Sequence, residues 1–98
     1  MYEIENKLMA RECGVELLVH CHSPYYKFND IKYGWEFSIE DPRCREIIRE
    51  KFNITTQKYF GHTWASYSNV LDVKEQTGKT IAEAEIACIV EICKGMEE

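Results

Sequence analysis

EQTGKTIAEAEIACIVEICKG, residues 75–95, carries the clearest helical signal in the chain, and the other elements can be arranged around it. Thr80-Ile81-Ala82-Glu83 fits a capping box: the Thr80 hydroxyl accepts from the Glu83 backbone N–H, and the Glu83 carboxylate reaches back to the Thr80 N–H. A helix is therefore expected from Ile81 to about Lys94. Ile81, Ala82, Ala84, Ile86, Cys88, Ile89, Val90, Ile92, Cys93 and Met96 cover well over half its circumference. That is broader than a one-sided surface helix requires, so the helix lies deep in the domain or packs partly on a second subunit. The expectation drawn from it is a homodimer.

Gly78-Lys79-Thr80 just before this helix raises the question of a phosphate loop. A Walker A loop needs G-x-x-x-x-G-K-[ST], whose glycines let successive backbone N–H groups wrap the phosphates. Its first glycine would fall at position 73, which is Val73. A turn followed by a helix cap explains every residue. What survives is weak anion binding at the helix N-terminus, with Lys79 assisting.

Upstream, residues 2–13 carry Ile4, Leu8, Met9 and Cys13 at helical spacing, with Gly14 where a helix commonly ends. VELLVHCH, 15–22, alternates so that Val15, Leu17, Val19 and Cys21 share one apolar face of a strand. Pro24 interrupts it, and 23–32 reads as a long connection to a second strand, YGWEFSI, 33–39. Asp41-Pro42 then starts a helix, Asp as N-cap and Pro at the first turn, with Cys44, Ile47, Ile48 and Phe52 inward and Arg43, Arg45, Arg49 and Glu50 outward. Residues 55–76, rich in Thr, Tyr and Trp, read as two strands with a turn at Ser68-Asn69, although NVLDVKEQTG is open to a helical reading as well. The fold expected is α+β, an antiparallel sheet packed against helices in the order α-β-β-α-β-β-α, as a single domain over 1–98.

Ninety-eight residues, 45% of them hydrophobic and 30% charged, suit an ordinary globular core. No apolar stretch is long enough to cross a bilayer, and the N-terminus lacks the basic start and apolar run of a signal peptide, so the expected location is the cytoplasm of a bacterial host. Five cysteines without Cys-x-x-Cys spacing read as small buried hydrophobes. A net charge of −5 argues against direct nucleic-acid binding, which draws its affinity from clustered Lys and Arg. It suits a basic protein partner, such as one with a nucleic-acid-binding surface.

No catalytic constellation stands out. His20 and His22 project from one strand face as a zinc pair would, but nothing in the spacing demands a third ligand from His62 or Glu36, and two half-exposed histidines explain the pattern without a metal. Cys–His nucleophilic catalysis has no local signature here. Loop aromatics are more suggestive: Tyr25, Tyr26, Tyr59 and Trp64 lie beside Lys27, Lys32 and Lys58 near hairpin ends. Tyr25, Tyr26, Lys27, Tyr59, Trp64 and Lys79 are the candidate binding residues, able to anchor a protein interface or to stack a nucleobase and hold a phosphate. Trp35 and Phe37 are expected in the core.

The segment GKTIAEAEIACIVEIC, 78–93, following a Trp- and Tyr-bearing strand region, resembles the end of small phage-encoded proteins grouped as the phage ABA sandwich domain. The likeness covers residues 64–93 and the general order of helix and strands. It implies a phage or prophage origin and carries no general activity. Two functions are expected from size, acidity and this resemblance: a non-enzymatic anti-defence inhibitor, like anti-CRISPR proteins, that blocks a host protein by stoichiometric binding, or a ligand-binding protein that sequesters a nucleotide-type signal. Neither requires a cofactor.

Overall fold

The computed structural model describes residues 2–68 and 73–96, with the His20 side chain outside the description. Its order is α1 (Glu3–Glu12), β1 (Glu16–His20), β2 (Ser23–Phe28), β3 (Ile31–Tyr33), α2 (Pro42–Phe52), β4 (Ile54–Phe60), β5 (Thr63–Ser68), β6 (Val73–Gly78) and α3 (Ile81–Met96). The class is α+β as expected, but each sheet has one strand more than the sequence reading allowed. Strands β1-β2-β3 form antiparallel sheet A and β4-β5-β6 antiparallel sheet B.

The extra strands come from tight turns. Cys21 and His22 both have positive φ, as do Asn29 and Asp30, which is the backbone a two-residue type I′ hairpin turn needs. The chain therefore reverses directly after His20 and again after Phe28, where a long connection was expected. Pro24 is tolerated inside β2 because β3 reaches only as far as Tyr26, so at Pro24 the strand has a single neighbour. Of the expected strand 33–39 only Tyr33 is in a ladder. In sheet B a reversal falls at Gly61-His62, with Gly61 at φ 59, which the sequence reading did not place, and β5 ends at Ser68, where the expected Ser68-Asn69 turn begins. Asn69 lies outside the described residues. Val73–Gly78 is strand, which removes the helical reading there.

The helix ends follow the sequence closely. Asp41 Oδ1 accepts from the Arg43 backbone N–H with Pro42 in the first turn, and Asn53 at φ 51 closes α2. Gly14, at φ 72, turns the chain after α1 into β1. At α3 the Thr80 hydroxyl accepts from the Glu83 N–H at 3.1 Å, but the Glu83 carboxylate takes the N–H of Lys79, at 2.7 Å, and not that of Thr80. Gly78 is needed for a different reason than a phosphate loop. A Cβ there would stand 2.6 Å from the Ala84 nitrogen and 2.6 Å from Glu83 Cβ, so the end of β6 touches the start of α3.

α3 packs along all three strands of sheet B and against α1. Ala84, Cys88, Ile89, Ile92 and Cys93 are buried, and the core they join includes Met9, Ala10, Phe37, Ile39, Cys44, Ile48 and Phe52. One chain thus covers α3 from two sides, which accounts for the breadth of its apolar surface without a second subunit. The molecule is elongated, 46 × 28 × 24 Å. Among the described residues no helix is long and apolar enough to cross a membrane.

Candidate interaction sites

The six candidate binding residues are not gathered in one place. Tyr26 is 1% exposed: it is a core residue, stacked on Tyr33 at 4.8 Å and edge-on to Phe37 at 5.3 Å. Strand alternation turns Tyr25 to the opposite face of β2, together with Lys27, which lies 4.0 Å from Asp30. The other three gather on sheet B. Register lines up Lys58, Trp64 and Gly78 in one row across β4, β5 and β6, and Lys79 follows Gly78. Tyr59 stands beside this row. The end of β4 carries Phe60, 82% exposed, with Tyr59 at 59%. A β-bulge between Lys58 and Phe60 re-aims the strand just there. Two large rings in water at a hairpin tip are the most prominent exposed apolar feature of sheet B.

The anion site considered at the N-terminus of α3 already has an anion. The Glu83 carboxylate sits on the Lys79 N–H just ahead of the cap, and the Thr80 hydroxyl takes the Glu83 N–H, so a negative charge of the chain itself already stands at this helix end. His22 is exposed in the β1–β2 turn, and among the described residues no three His, Cys, Asp or Glu side chains converge as a metal ion would require. Three of the five thiols are poor nucleophiles. Burial pushes Cys13 and Cys88 up to about 11 and raises Cys44 as well, so little thiolate exists near neutral pH. Cys21 is the exposed one, in a turn.

The sequence reading missed one polar centre. Arg45, expected on the outer face of α2, is 6% exposed, and Glu85 on α3 is 3% exposed. Arg45 Nε donates to Glu85 Oε1 at 3.0 Å, and Arg45 Nη1 donates to the carbonyls of Ile39 and Glu40. Arg49 Nη1 donates to Glu85 Oε2 at 2.9 Å, and Thr56 Oγ1 donates to the same oxygen at 3.2 Å. Because the single Thr56 proton is used on Glu85, the 2.6 Å contact with Ser66 has the Ser66 hydroxyl donating. Each carboxylate oxygen has partners, and the network ties α2, α3, β4 and β5 together. Its closure and burial make it a structural lock with no open position for a substrate.

A second feature lies where α2 crosses sheet A. Tyr26, Phe28, Tyr33 and Trp35 wall a cleft of about 330 Å³ with Arg43, Glu46, Ile47 and Glu50 of α2. The Arg43 guanidinium lies 3.6 Å from the centre of the Trp35 ring and is gripped by Asp41 through bonds of 3.0 and 2.6 Å. Those bonds hold the Asp41 carboxyl below its ordinary range, against the opposing effect of its burial. Phe37 is buried, as expected, whereas Trp35, also expected in the core, is half-buried and packs against it.

No family model matches this chain, and no curated protein or solved structure matches it.

Proposed function

We propose that this chain is a small non-enzymatic binding protein that acts by stoichiometric occupation of another protein. The observation that supports this is the β4–β5 hairpin tip, where Tyr59 and Phe60 stand in solvent with no packing role to account for them. Large aromatics of this kind bury much area for little side-chain entropy and are the usual anchors of protein interfaces. Lys58, Trp64 and Lys79 supply a polar and half-buried rim beside the tip. The acidic net charge of −5 favours a partner with a basic surface, such as a nucleic-acid-handling enzyme. The phage resemblance directs the reading towards an anti-defence inhibitor carried by a mobile element.

A tagged chain expressed in a bacterial host, recovered at low salt, should bring down one protein in comparable molar amount. The double variant Tyr59→Ser, Phe60→Ser should lose it while its urea midpoint stays unchanged. Recovery of no partner, or undiminished recovery by the double variant, would overturn the reading. A rise in melting temperature with nucleotides would favour the sequestering alternative instead.

A further inference from the structure

We propose that the cleft between sheet A and α2 receives an arginine side chain from a basic protein segment. This goes beyond the hairpin-tip reading and stands on a separate surface. The cleft combines two features that together select a cation. Its wall is aromatic: Phe28, Tyr33 and Trp35 are each half-buried, so part of each ring remains available. Its rim is acidic: Glu46 and Glu50 are exposed, one helical turn apart on the same face of α2, and neither has an ion pair among the described residues. Like charges at this spacing repel within an isolated helix, and a cation between them removes that repulsion.

The chain itself supplies a precedent for the guest. The Arg43 guanidinium carbon lies over the Trp35 ring, 3.6 Å from its centre, with its charge matched by Asp41 in a two-bond grip. A planar guanidinium stacked on a ring and clasped by a carboxylate is therefore an arrangement this wall already holds. Arg43 also lines the cleft, but its Nε and Nη2 donate to Asp41, whose charge balances its own, and no ion pair joins it to Glu46 or Glu50 among the described residues. The other cations nearby point elsewhere. Register puts Lys27 and Lys32 opposite each other on the far face of sheet A from Tyr26 and Tyr33. Helical spacing turns Lys51 about 100° round α2 from Glu50, and it does not line the cleft. Arg45 and Arg49 are bound to Glu85. A second guanidinium entering beside Tyr33 would thus meet rings on one side and two free carboxylates on the other.

The test uses nuclear magnetic resonance of the whole chain, titrated with the peptide acetyl-Gly-Arg-Gly-amide and with its Lys and Glu counterparts. The Arg peptide should shift the Trp35 indole N–H and the Tyr33 ring signals in a saturable way, and the Glu peptide should not. Because Glu46 and Glu50 are exposed, Glu46→Gln with Glu50→Gln should leave the fold intact and weaken the Arg peptide about fivefold. Tyr59→Ser with Phe60→Ser should leave this binding unchanged, which separates the cleft from the hairpin tip. Absence of the shifts, equal response to the Lys peptide, or insensitivity to the Gln pair would overturn the assignment. So would concentration-dependent shifts at the same signals without peptide, which would give the cleft to a second copy.

Discussion

Sheet A meets α2 through rings. Tyr26, Tyr33, Trp35 and Phe37 lean on one another at centroid distances of 4.8 to 6.1 Å, and from the helix the Cys44 thiol donates to the Tyr26 hydroxyl at 3.9 Å. Sheet B meets α3 through a buried carboxylate with charged and hydroxyl partners on all sides. Ring packing is weakly directional, and here it stops short of the sheet's margin. Leu17, Val19 and Ile31 share the sheet face that Tyr26 occupies, yet are 45%, 74% and 55% exposed. The ionic centre fixes one register and leaves nothing unsatisfied. One half of the molecule is thus locked by complementary charges, and the other keeps apolar surface available for contact.

The strongest way to break this contrast is Glu85→Ala. It strands Arg45 in a site where that residue is 6% exposed, and urea denaturation should show a loss of about 3–5 kcal/mol. Arg49→Ala, at a side chain 42% exposed, should lose no more than about 1 kcal/mol. Similar losses for the two would mean that the carboxylate is not held as a buried pair with Arg45. Next comes Gly78→Ala, where the added methyl meets backbone at 2.6 Å. Chemical unfolding should register about 1–3 kcal/mol from forced separation of β6 and α3. In sheet A, Tyr26→Phe keeps the ring and removes a hydroxyl that accepts from the weak Cys44 thiol donor, so its loss should be about 1 kcal/mol or less. A loss near that of Glu85→Ala would erase the distinction between the halves.

The mildest effect near neutral pH is a pH slope shared by both halves. Burial raises Cys44 and Tyr26 on the sheet A side, and raises Cys13 and Cys88 to about 11. A thiol or phenol with a raised folded-state pKa favours the fold while it stays protonated. That stability is complete below the unfolded thiol value of about 8.5 and is lost as pH rises towards 11. Urea midpoints should be flat between neutral pH and the unfolded thiol value, then decline. A midpoint that rises with pH in that window would contradict the burial of these groups.

How far the sequence was legible varied with the range of the interaction. Local chemistry was readable: Asp41-Pro42, Gly14, and Thr80 with Glu83 mark helix ends through contacts within four residues, and the structure shifts only the Glu83 acceptor role by one N–H. The hairpins were readable in part. Asn29-Asp30 has the side chains that tolerate a left-handed backbone, and the signal was present but overshadowed by Pro24. Cys21-His22 has no such signal, and its positive φ values are imposed by the pairing of β1 with β2. Arg45 was not readable at all. Helical periodicity sends a charged residue to solvent unless a partner is known, and Glu85 lies 40 positions away. The candidate binding residues divided on the same line: Tyr26 was misjudged because adjacent tyrosines in a strand face opposite ways, whereas Tyr59 at a hairpin end is exposed.

The closure of the Glu85 network bears on ancestry. Arg45 and Glu85 cannot be exchanged singly without stranding a buried charge, and the more exposed Arg49 and the hydroxyls of Thr56 and Ser66 are built onto that pair, so descent should keep the centre of the group together. Arg45 with Arg49 one turn later, then Thr56, Ser66 and Glu85, therefore forms a spaced signature by which distant kin of this chain can be sought even after its surface has diverged.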